Sequence, residues 1–330
     1  MTELVDKYKR RIDYLRISVT DRCNLRCVYC MPTEGISLCA PKEILRYEEL
    51  LRVARIAASR GVSKIRITGG EPLVRKGIVG FIRDVSALEG VKDLSLTTNG
   101  VLLKDYALRL KEAGLKRVNV SLDTLKKERF IKVTRGDRLE EVLDGLGAAL
   151  AAGLKPVKVN MVVIKGFNDD EVLDFALISK KNPYHIRFIE YMPFNTEEGW
   201  QRDKCISVNT IKSIIEKHEK LLPVESAAGA AGPARRFRFK GAPGEVGFIS
   251  PVTEHFCGEC NRLRLTADGK LRVCLFSDNE INIKKVLRDG SGDSAVEEVL
   301  FRAVAEKPAG HHINENIFKK CSRTMSLIGG

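Results

Sequence analysis

Short β-branched stretches alternate with amphipathic stretches along the first two thirds of the chain, and this alternation constrains the fold most strongly. Six predicted strands cover residues 14–20, 64–70, 93–100, 117–122, 155–164 and 185–192, and predicted helices cover 48–59, 77–88, 104–113, 139–152 and 169–179. Strands that alternate with helices of these lengths pair in parallel through right-handed crossovers. Six units are too few to close an eight-stranded barrel, so the sequence predicts an α/β fold with a partial parallel (β/α)6 barrel. In such a barrel, functional residues gather at the C-terminal ends of the strands.

The length of the chain allows a second, smaller region beside the barrel. The chain has 330 residues, of which 44% are hydrophobic, and this is enough for a large domain with an attachment. Residues 223–243 are rich in small residues with Gly and Pro, which is typical of a linker, and one short strand is predicted at 235–240. We therefore predict a barrel over 1–222, a linker over 223–243 and a C-terminal region over 244–330.

Three cysteines follow the first predicted strand at the spacing C-x3-C-x2-C, in the stretch CNLRCVYC that contains Cys23, Cys27 and Cys30. Thiolates this close together on one loop can bind three corners of a cubic iron–sulfur cluster, which leaves the fourth iron open to a small molecule. Two other interpretations are a zinc knuckle that lacks a ligand and cysteines that pack as small hydrophobic residues. Because the flanking residues are polar and no fourth ligand stands at finger spacing, an iron–sulfur site is the prediction.

A second set of three cysteines, Cys257, Cys260 and Cys274, has the spacing C-x2-C-x13-C. On this segment alone, a zinc ribbon and a second iron–sulfur site are equally good interpretations. No convincing fourth ligand is present in the segment. His255 and Cys321 are the candidates for that position.

The segment RLRLT–ADG–KLRVC predicts a hairpin that returns the third of these thiols to the first two. Arg262 and Arg264 stand two residues apart in its first strand, so both would lie on one strand face beside the cysteines. Two guanidinium groups at the edge of a metal site favour a phosphate or an electron-rich base as the ligand.

Cations also occur within the predicted barrel strands, at Arg16, Lys64, Arg66, Lys158 and Arg187. Cations that point into a barrel are unfavourable unless an anion accompanies them. They could instead face the outer surface or pair with Glu71 and Glu190. Because several occur together, we expect a substrate with multiple negative charges.

The composition favours some classes of partner over others. The formal net charge is +13, but the basic residues are dispersed and only 6% of the chain is aromatic, so a phosphate-bearing small molecule is favoured over nucleic acid. No secretory signal or membrane span is expected, and nine cysteines fit metal ligation in a reducing cytoplasm. We therefore predict a cytoplasmic protein with neither nucleic acid nor a membrane as its partner. A zinc-stabilised, basic nucleic-acid-binding protein is the alternative from another class.

The first cysteine stretch, with Tyr29 before its last cysteine, resembles the signature of radical S-adenosylmethionine (SAM) enzymes. Other segments extend the resemblance: LRISVTDRCNLRCVYCMP, RITGGEPL, LTTNG, VNVSLDT, PVKVNMVVIKG, FIEYMP, FCxxCNRLRLTADGKLRxCLF and the final RTMSLIGG. In this order, the set closely resembles the GTP 3′,8-cyclase family, whose members start molybdenum cofactor biosynthesis. The alternative is another radical SAM enzyme with an auxiliary cluster, such as a peptide-modifying maturase. The RLR after the second cysteine pair and the Gly-Gly end argue against that alternative.

The resemblance implies roles for individual residues. The first three cysteines would hold the [4Fe–4S] cluster that reduces SAM, and the second three would hold a [4Fe–4S] cluster that faces the guanine of GTP. Implied SAM contacts are Tyr29, Gly70, Ser121 and Met192. Implied GTP contacts are Arg16, Arg66, Thr97, Lys158, Arg262, Leu263 and Arg264, and weaker candidates are Lys64, Asn160 and Arg187. The implied catalytic residues are Arg262, Arg264, Gly329 and Gly330, since the family's Gly-Gly tail reaches into the active site.

The resemblance also implies a reaction. In that family an electron from the first cluster cleaves SAM, and the resulting 5′-deoxyadenosyl radical takes the hydrogen from ribose C3′ of GTP. The C3′ radical adds to guanine C8, and a further electron gives 3′,8-cyclo-7,8-dihydro-GTP. The enzyme would therefore be a lyase, with SAM as cosubstrate. Its implied partners are GTP, an external electron donor and the next enzyme of the molybdenum cofactor pathway, and a homodimer is one candidate for the oligomeric state.

Overall fold

A computed structural model describes residues 2–32, 35–192, 202–225, 232–311, 313, 321 and 323–329 of the chain. The strands of this part are β1 (Tyr14–Ser18), β2 (Lys64–Thr68), β3 (Asp93–Thr98), β4 (Arg117–Ser121), β5 (Val157–Val163), β6 (Tyr184–Glu190), β7 (Leu222–Pro223), β8 (Arg235–Arg238), β9 (Glu245–Ile249), β10 (Arg262–Leu265), β11 (Lys270–Arg272) and β12 (Glu280–Asn282). They form one sheet in the spatial order β12-β11-β10-β1-β2-β3-β4-β5-β6-β9-β8-β7.

Helices connect most of the parallel strands. The described α-helices are α1 (Tyr47–Ser59), α2 (Ile78–Ser86), α3 (Leu103–Glu112), α4 (Lys127–Thr134), α5 (Leu139–Ala151), α6 (Val172–Lys181), α7 (Val208–Glu216), α8 (Lys284–Arg288), α9 (Asp293–Ala305) and α10 (Met325–Ile328). The amphipathic pattern decides which side of each faces inward; in α1, Leu50, Val53, Ala54 and Ala57 are fully buried at helical spacing. None of the helices in the described ranges has the length and apolar character needed to span a membrane.

Eight neighbouring strands of the described sheet pair in parallel, two more than the sequence predicts. Strands β1 to β6 lie in chain order, β10 pairs with β1, and β9 pairs with β6. The two sides end in antiparallel strands and do not meet, so the barrel is open. The predicted α/β fold with a partial parallel barrel is therefore confirmed. The division into 1–222, 223–243 and 244–330 stays a prediction, although β9 and β10 lie in the same sheet as β1 and β6.

Alternation along the strands separates a hydrophobic core from a polar interior. Leu15 and Ile17 of β1, and Ile65 and Ile67 of β2, are fully buried in the main hydrophobic cluster together with helix residues. Each such side chain contributes about 1.5–3 kcal/mol when it leaves water. Because successive strand residues point to opposite faces, the residues between them point toward the inside of the barrel.

Three fully buried glutamates connect neighbouring strand ends. Each carboxylate accepts a hydrogen bond from a backbone amide that follows an adjacent strand, at 2.7, 2.7 and 3.0 Å for the pairs Glu71–Asn99, Glu171–Leu125 and Glu190–Val252. Glu71 and Glu190 therefore bond to backbone amides at the strand ends. These bonds hold the C-terminal edge of the barrel in place, where the candidate site lies.

Candidate functional site

The C-terminal ends of the parallel strands surround one cavity of about 370 Å³. Both cysteine sets line this cavity, together with residues from the ends of the central strands. Parallel strands bring their C-terminal ends to the same edge of a sheet, so residues far apart in the chain converge there. This cavity is the candidate active site.

The first cysteine set lies on the loop after β1, and the end of α4 holds that loop. Arg26 N donates a hydrogen bond to Thr134 O at 3.0 Å, and Val28 N donates to Val133 O at 2.9 Å. All three thiols are free, partly buried and part of the cavity wall. The loop thus presents them together, as the C-x3-C-x2-C spacing predicts.

The surroundings of these three thiols fit an iron–sulfur cluster. Burial is the largest cause that raises the pKa of Cys23 and Cys27, and it raises the pKa of Cys30 to about 12. Thiolates in such a place need added positive charge, which cluster irons supply. No three His, Cys, Asp or Glu side chains in the described ranges converge as they would on a single metal ion.

The glycine pair after β2 packs against the backbone of the cysteine loop. Gly70 N donates to Thr20 O at 2.8 Å, and a Cβ on Gly70 would lie only 2.4 Å from Arg22 O. Only glycine allows this approach. Gly69 and Gly70 also line the cavity, so backbone groups are available to a ligand there.

The other predicted SAM residues, Tyr29, Ser121 and Met192, line the same cavity. The Tyr29 hydroxyl donates a hydrogen bond to the carboxylate of Asp123, which also accepts from Val162 N at 2.8 Å. Burial raises the pKa of Asp123 to about 6. The structure therefore brings the four predicted SAM residues together, and their contact with SAM stays a prediction.

The hairpin predicted for the second cysteine set is confirmed. Strands β10 and β11 pair antiparallel, with Arg264 opposite Arg272, and the turn brings Cys274 into the cavity wall with Cys257 and Cys260. Burial raises the pKa of Cys257, and the nearby thiols of Cys274 and Cys260 raise it as well. The second set is thus a compact thiol site.

Two cations change the ionisation of one thiol of the second set. Burial favours the neutral form of Cys260, but Lys307 and Arg262 outweigh it, so the pKa of Cys260 is lowered. Lys307 lies behind the cysteine, whereas Arg262 lines the cavity beside the ring of Phe256, 5.0 Å from its centroid. The two cations at this end of the cavity therefore favour ionisation of the Cys260 thiol.

The two candidates for a fourth ligand lie in different places. His255 lines the cavity, and its ring packs edge-on against His311 with 5.3 Å between centroids. Cys321 is buried, and its thiol points to Leu275 O at 3.7 Å. Whether either residue ligates a metal stays a prediction.

Three of the predicted GTP residues form a row across adjacent strands. Arg264 of β10, Arg16 of β1 and Arg66 of β2 occupy paired positions, and all three line the cavity with Arg262 and Thr97. Burial and the other guanidinium groups lower the pKa of Arg16 and lower that of Arg264 to about 10. Such concentrated buried charge favours a ligand with several negative charges.

The remaining GTP candidates are distributed around this row. Arg187 and Asn160 line the cavity, whereas Lys158 lies behind it, and burial with Arg187 and Arg117 lowers the pKa of Lys158 to about 6. The side chain of Leu263 is buried in the hydrophobic core. Lys64 starts β2 and bonds to Asp13 at 3.2 Å. The roles of these residues stay predictions.

Several buried polar atoms of the cavity lack a hydrogen-bond partner among the described residues. They are Tyr14 Oη, Thr97 Oγ1 and Asn160 Oδ1. All three residues line the cavity. A buried polar group without a partner costs about 1–3 kcal/mol, so these atoms mark positions where a ligand supplies the missing hydrogen bonds.

The C-terminal segment packs beside the first cysteine set. Thr68 Oγ1 donates to Gly329 O at 3.0 Å, and Ser326 hydrogen-bonds to the thiol of Cys30. Gly329 is buried, with φ at 86°, in the left-handed region that favours glycine. The tail thus reaches the site up to Gly329, whereas Gly330 lies outside the described residues.

Sequence reasoning missed several residues of the site. Tyr14, Asn99, Phe256 and His311 line the cavity without having been singled out, and Lys307 contacts a cysteine. Tyr14 could have been found from its position two residues before Arg16, on the same strand face. The others lie on irregular loops, where periodicity carries no signal.

Comparisons with known proteins agree with the geometry. Residues 17–177 match the Radical SAM superfamily, and residues 184–313 match the family described as Molybdenum Cofactor Synthesis C. The chain is 54% identical to a GTP 3′,8-cyclase of Thermodesulfovibrio yellowstonii, over 98% of this chain and 99% of that protein. It is 52% identical to a GTP 3′,8-cyclase of Moorella thermoacetica over the same shares.

Among solved structures, the chain resembles Streptococcus suis SuiB bound to S-adenosylmethionine. The TM-score is 0.60 at 16% sequence identity, and the match covers 97% of this chain and 79% of SuiB. At this identity the likeness concerns the fold alone.

Proposed function

The chain belongs to the GTP 3′,8-cyclase family, and on that premise we propose that it is a radical SAM lyase that converts GTP into (8S)-3′,8-cyclo-7,8-dihydroguanosine 5′-triphosphate. This reaction is the first step of molybdenum cofactor biosynthesis. As a member of the radical SAM superfamily, the chain binds SAM and one [4Fe–4S] cluster. The observation that carries the proposal is that two three-thiol sets line one cavity with a row of arginines.

In this proposal the first cysteine set holds the cluster, and its neighbours hold SAM. Cys23, Cys27 and Cys30 ligate three irons, and the cluster, when bound, supplies the electron that cleaves SAM. The backbone at Gly70 lets the cosubstrate approach closely because no side chain intervenes. Tyr29, held by its hydrogen bond to Asp123, forms a fixed wall of the SAM side.

The other side of the cavity holds GTP and a second [4Fe–4S] cluster on Cys257, Cys260 and Cys274. The row of Arg264, Arg16 and Arg66 supports binding of the triphosphate, because guanidinium groups form paired hydrogen bonds with phosphate oxygens. Lys158 and Arg187 extend the positive charge, and Arg262 lies between the cysteines and this row. Thr97 and Asn160 bring polar atoms that have no hydrogen-bond partner among the described residues.

The protein's contribution to the reaction is to position GTP and to exclude water. A nucleotide held by its phosphates at one end and by its base at the other has a fixed ribose, and near-attack geometry can supply about 7–11 kcal/mol of the barrier. Ser326, three residues before the buried Gly329, lines the cavity and hydrogen-bonds to the thiol of Cys30, so the tail forms part of the cavity wall. This wall protects a reactive intermediate from solvent.

The proposal includes three partners beyond GTP and SAM. An external donor must deliver electrons to the cluster, and the next enzyme of the molybdenum cofactor pathway must take the cyclised product. A homodimer is the proposed oligomeric state, to be tested by sedimentation of the anaerobic protein.

Anaerobic reconstitution followed by incubation with GTP, SAM and a reductant tests the proposal. The expected result is about eight irons with matching sulfide per chain, and formation of both 5′-deoxyadenosine and the cyclised nucleotide. Replacing Cys257, Cys260 and Cys274 together with Ala should leave about four irons and should abolish cyclisation while SAM cleavage remains. Zinc without sulfide at both thiol sets, or SAM cleavage with no change to GTP in the intact protein, would overturn it.

A further inference from the structure

A short segment after α9 contacts two of the three thiols of the second cysteine set. This segment, residues 307–311, follows α9, and its lysine is only 3% exposed. Lys307 Nζ donates to Arg262 O at 2.9 Å and to Val273 O at 2.7 Å, and it also hydrogen-bonds to the thiol of Cys260. One ammonium group thereby connects two strands of the hairpin with one of its cysteines.

The charge of Lys307 has no carboxylate partner in the part of the chain that the structure describes. A buried ammonium is strongly unfavourable unless an anion accompanies it. Its two backbone carbonyls supply dipoles but no net charge. The thiol of Cys260 is the side chain that this buried cation contacts, and as a thiolate ligand it would supply the matching negative charge.

A second buried cation holds the other side of the same site. Arg10, which is 8% exposed, donates from Nη1 to Cys257 O at 2.7 Å and from Nη2 to Pro308 O at 2.6 Å. Its Nε donates to Asp6 at 2.6 Å, so its own charge is matched. The backbone N–H of His311 bonds to the thiol of Cys257, which brings the 307–311 segment to a second cysteine.

We propose that Lys307 and Arg10 form an internal clamp that positions the second thiol set, and that Lys307 balances part of the negative charge of that set. Between them, the two cations bind carbonyls at Cys257, at Arg262 and at Val273, which are the three stretches that carry the three thiols. Among the described residues, the neutral side chains of Asn99 and Ser326 contact thiols of the first cysteine set. The two sites therefore differ in charge as well as in loop geometry. The clamp depends on the proposed function only for the identity of the bound metal group.

The test uses the full chain with Cys23, Cys27 and Cys30 replaced by Ala, so that bound iron reports on the second set alone. In this background Lys307→Met removes the charge and keeps the length of the side chain. Because Lys307→Met leaves the buried thiolates without this cation, the chelator concentration that removes half of the iron should fall at least about tenfold. Lys212→Met, at a partly buried lysine that pairs with Glu216, is the control and should leave iron retention unchanged.

A second measurement separates the clamp from general damage to the fold. In the chain with both cysteine sets intact, Lys307→Met should keep the first cluster and SAM cleavage, while the electron paramagnetic resonance signal of the second cluster changes and its reduction potential falls. Unchanged iron retention, signal and potential in Lys307→Met would overturn the clamp. Equal loss of both clusters would also overturn it, because the effect would not be local.

The result also distinguishes the clamp from the proposed function. If the unaltered second set holds zinc and no sulfide, the proposed function fails. Zinc retention in Lys307→Met then tests the clamp in the same way, since the thiolates carry the charge with either metal.

Discussion

The ionisation of the strand cations in the cavity depends on their neighbours. Burial, together with the positive charges of Arg187 and Arg117, lowers the pKa of Lys158 to about 6. Burial also lowers the pKa of Arg187 to about 9, with Arg66 and Arg117 as further causes. An amine with a pKa near 6 is mostly neutral at pH 7.5, so a bound anion can change its charge.

Proton uptake on GTP binding is the expected consequence at Lys158. A bound triphosphate favours the ammonium form and raises its pKa, so binding at pH 7.5 should take up as much as about one proton. The affinity for GTP should therefore fall as the pH rises above 6 toward the pKa of the complex. Calorimetry in two buffers of different ionisation enthalpy measures the uptake. Lys158→Met should abolish it, and equal uptake in that variant would contradict the assignment.

A second prediction for a single residue concerns Arg262. It is partly buried, lines the cavity and stands two residues after Cys260 in the chain, so we expect it to contact bound GTP. A hydrogen bond to a charged group is worth about 1.5–3 kcal/mol, so Arg262→Ala should weaken GTP binding about 10- to 100-fold. SAM cleavage, followed as 5′-deoxyadenosine, should remain largely intact. Arg52→Ala, at an arginine that pairs with Asp293 away from the cavity, is the control. Unchanged affinity for GTP in Arg262→Ala would contradict this role.

At the level of secondary structure, the C-terminal segment runs from the β10–β11 hairpin, beside the second cysteine set, to β1 and β2, beside the first. Arg323 binds Asp268 in the hairpin turn at 3.0 and 2.8 Å, and Glu280 of β12 at 2.9 Å. Beyond this anchor the chain forms α10 and ends its described course at Gly329 beside β1 and β2. The tail is therefore fixed at both ends.

A side chain at position 329 should displace this tail. The Cβ of Gly329→Ala would lie 2.6 Å from Ser18 Cβ and 2.8 Å from Thr68 Oγ1. A displacement of about 1 Å near reacting groups can cost about 100-fold in rate, so the cyclised product should fall far more than 5′-deoxyadenosine does. The ratio of the two products is the measurement. Gly290→Ala has the same positive φ of 86° but nothing within 4 Å, and it should leave the ratio unchanged. An unchanged ratio in both variants would show that the tail does not position GTP.

In the whole molecule, strands from the last third of the chain cover both edges of the six-strand core. β10 pairs with β1 over four residues, and β9 pairs with β6 over five. Without these strands, β1 and β6 would expose unpaired backbone groups and apolar side chains such as Leu15 and Ile186, both fully buried in the chain.

We therefore expect residues 1–222 alone not to form a stable barrel. The fragment should aggregate or show no cooperative thermal unfolding by circular dichroism, because open strand edges pair with other chains. A chain that ends at residue 322 keeps all the described strands and should remain folded. A soluble, cooperatively unfolding 1–222 fragment that binds a cluster would contradict this expectation and support an independent barrel domain.

Local pattern determined the alternation of β1 to β6 with their main helices and the spacing of both cysteine sets, since periodicity and loop spacing depend on near neighbours. It did not predict α4, whose stretch KERFIKVT is half charged and buries only Phe130, Val133 and Thr134. Nor did it predict β9, where the short EVGFI contains a glycine. Only the tertiary structure decided that β9 and β10 join opposite edges of the core, and that Arg10 reaches Cys257 O across 247 residues. Such contacts depend on which strand edges pair, and no local pattern of side chains carries that information.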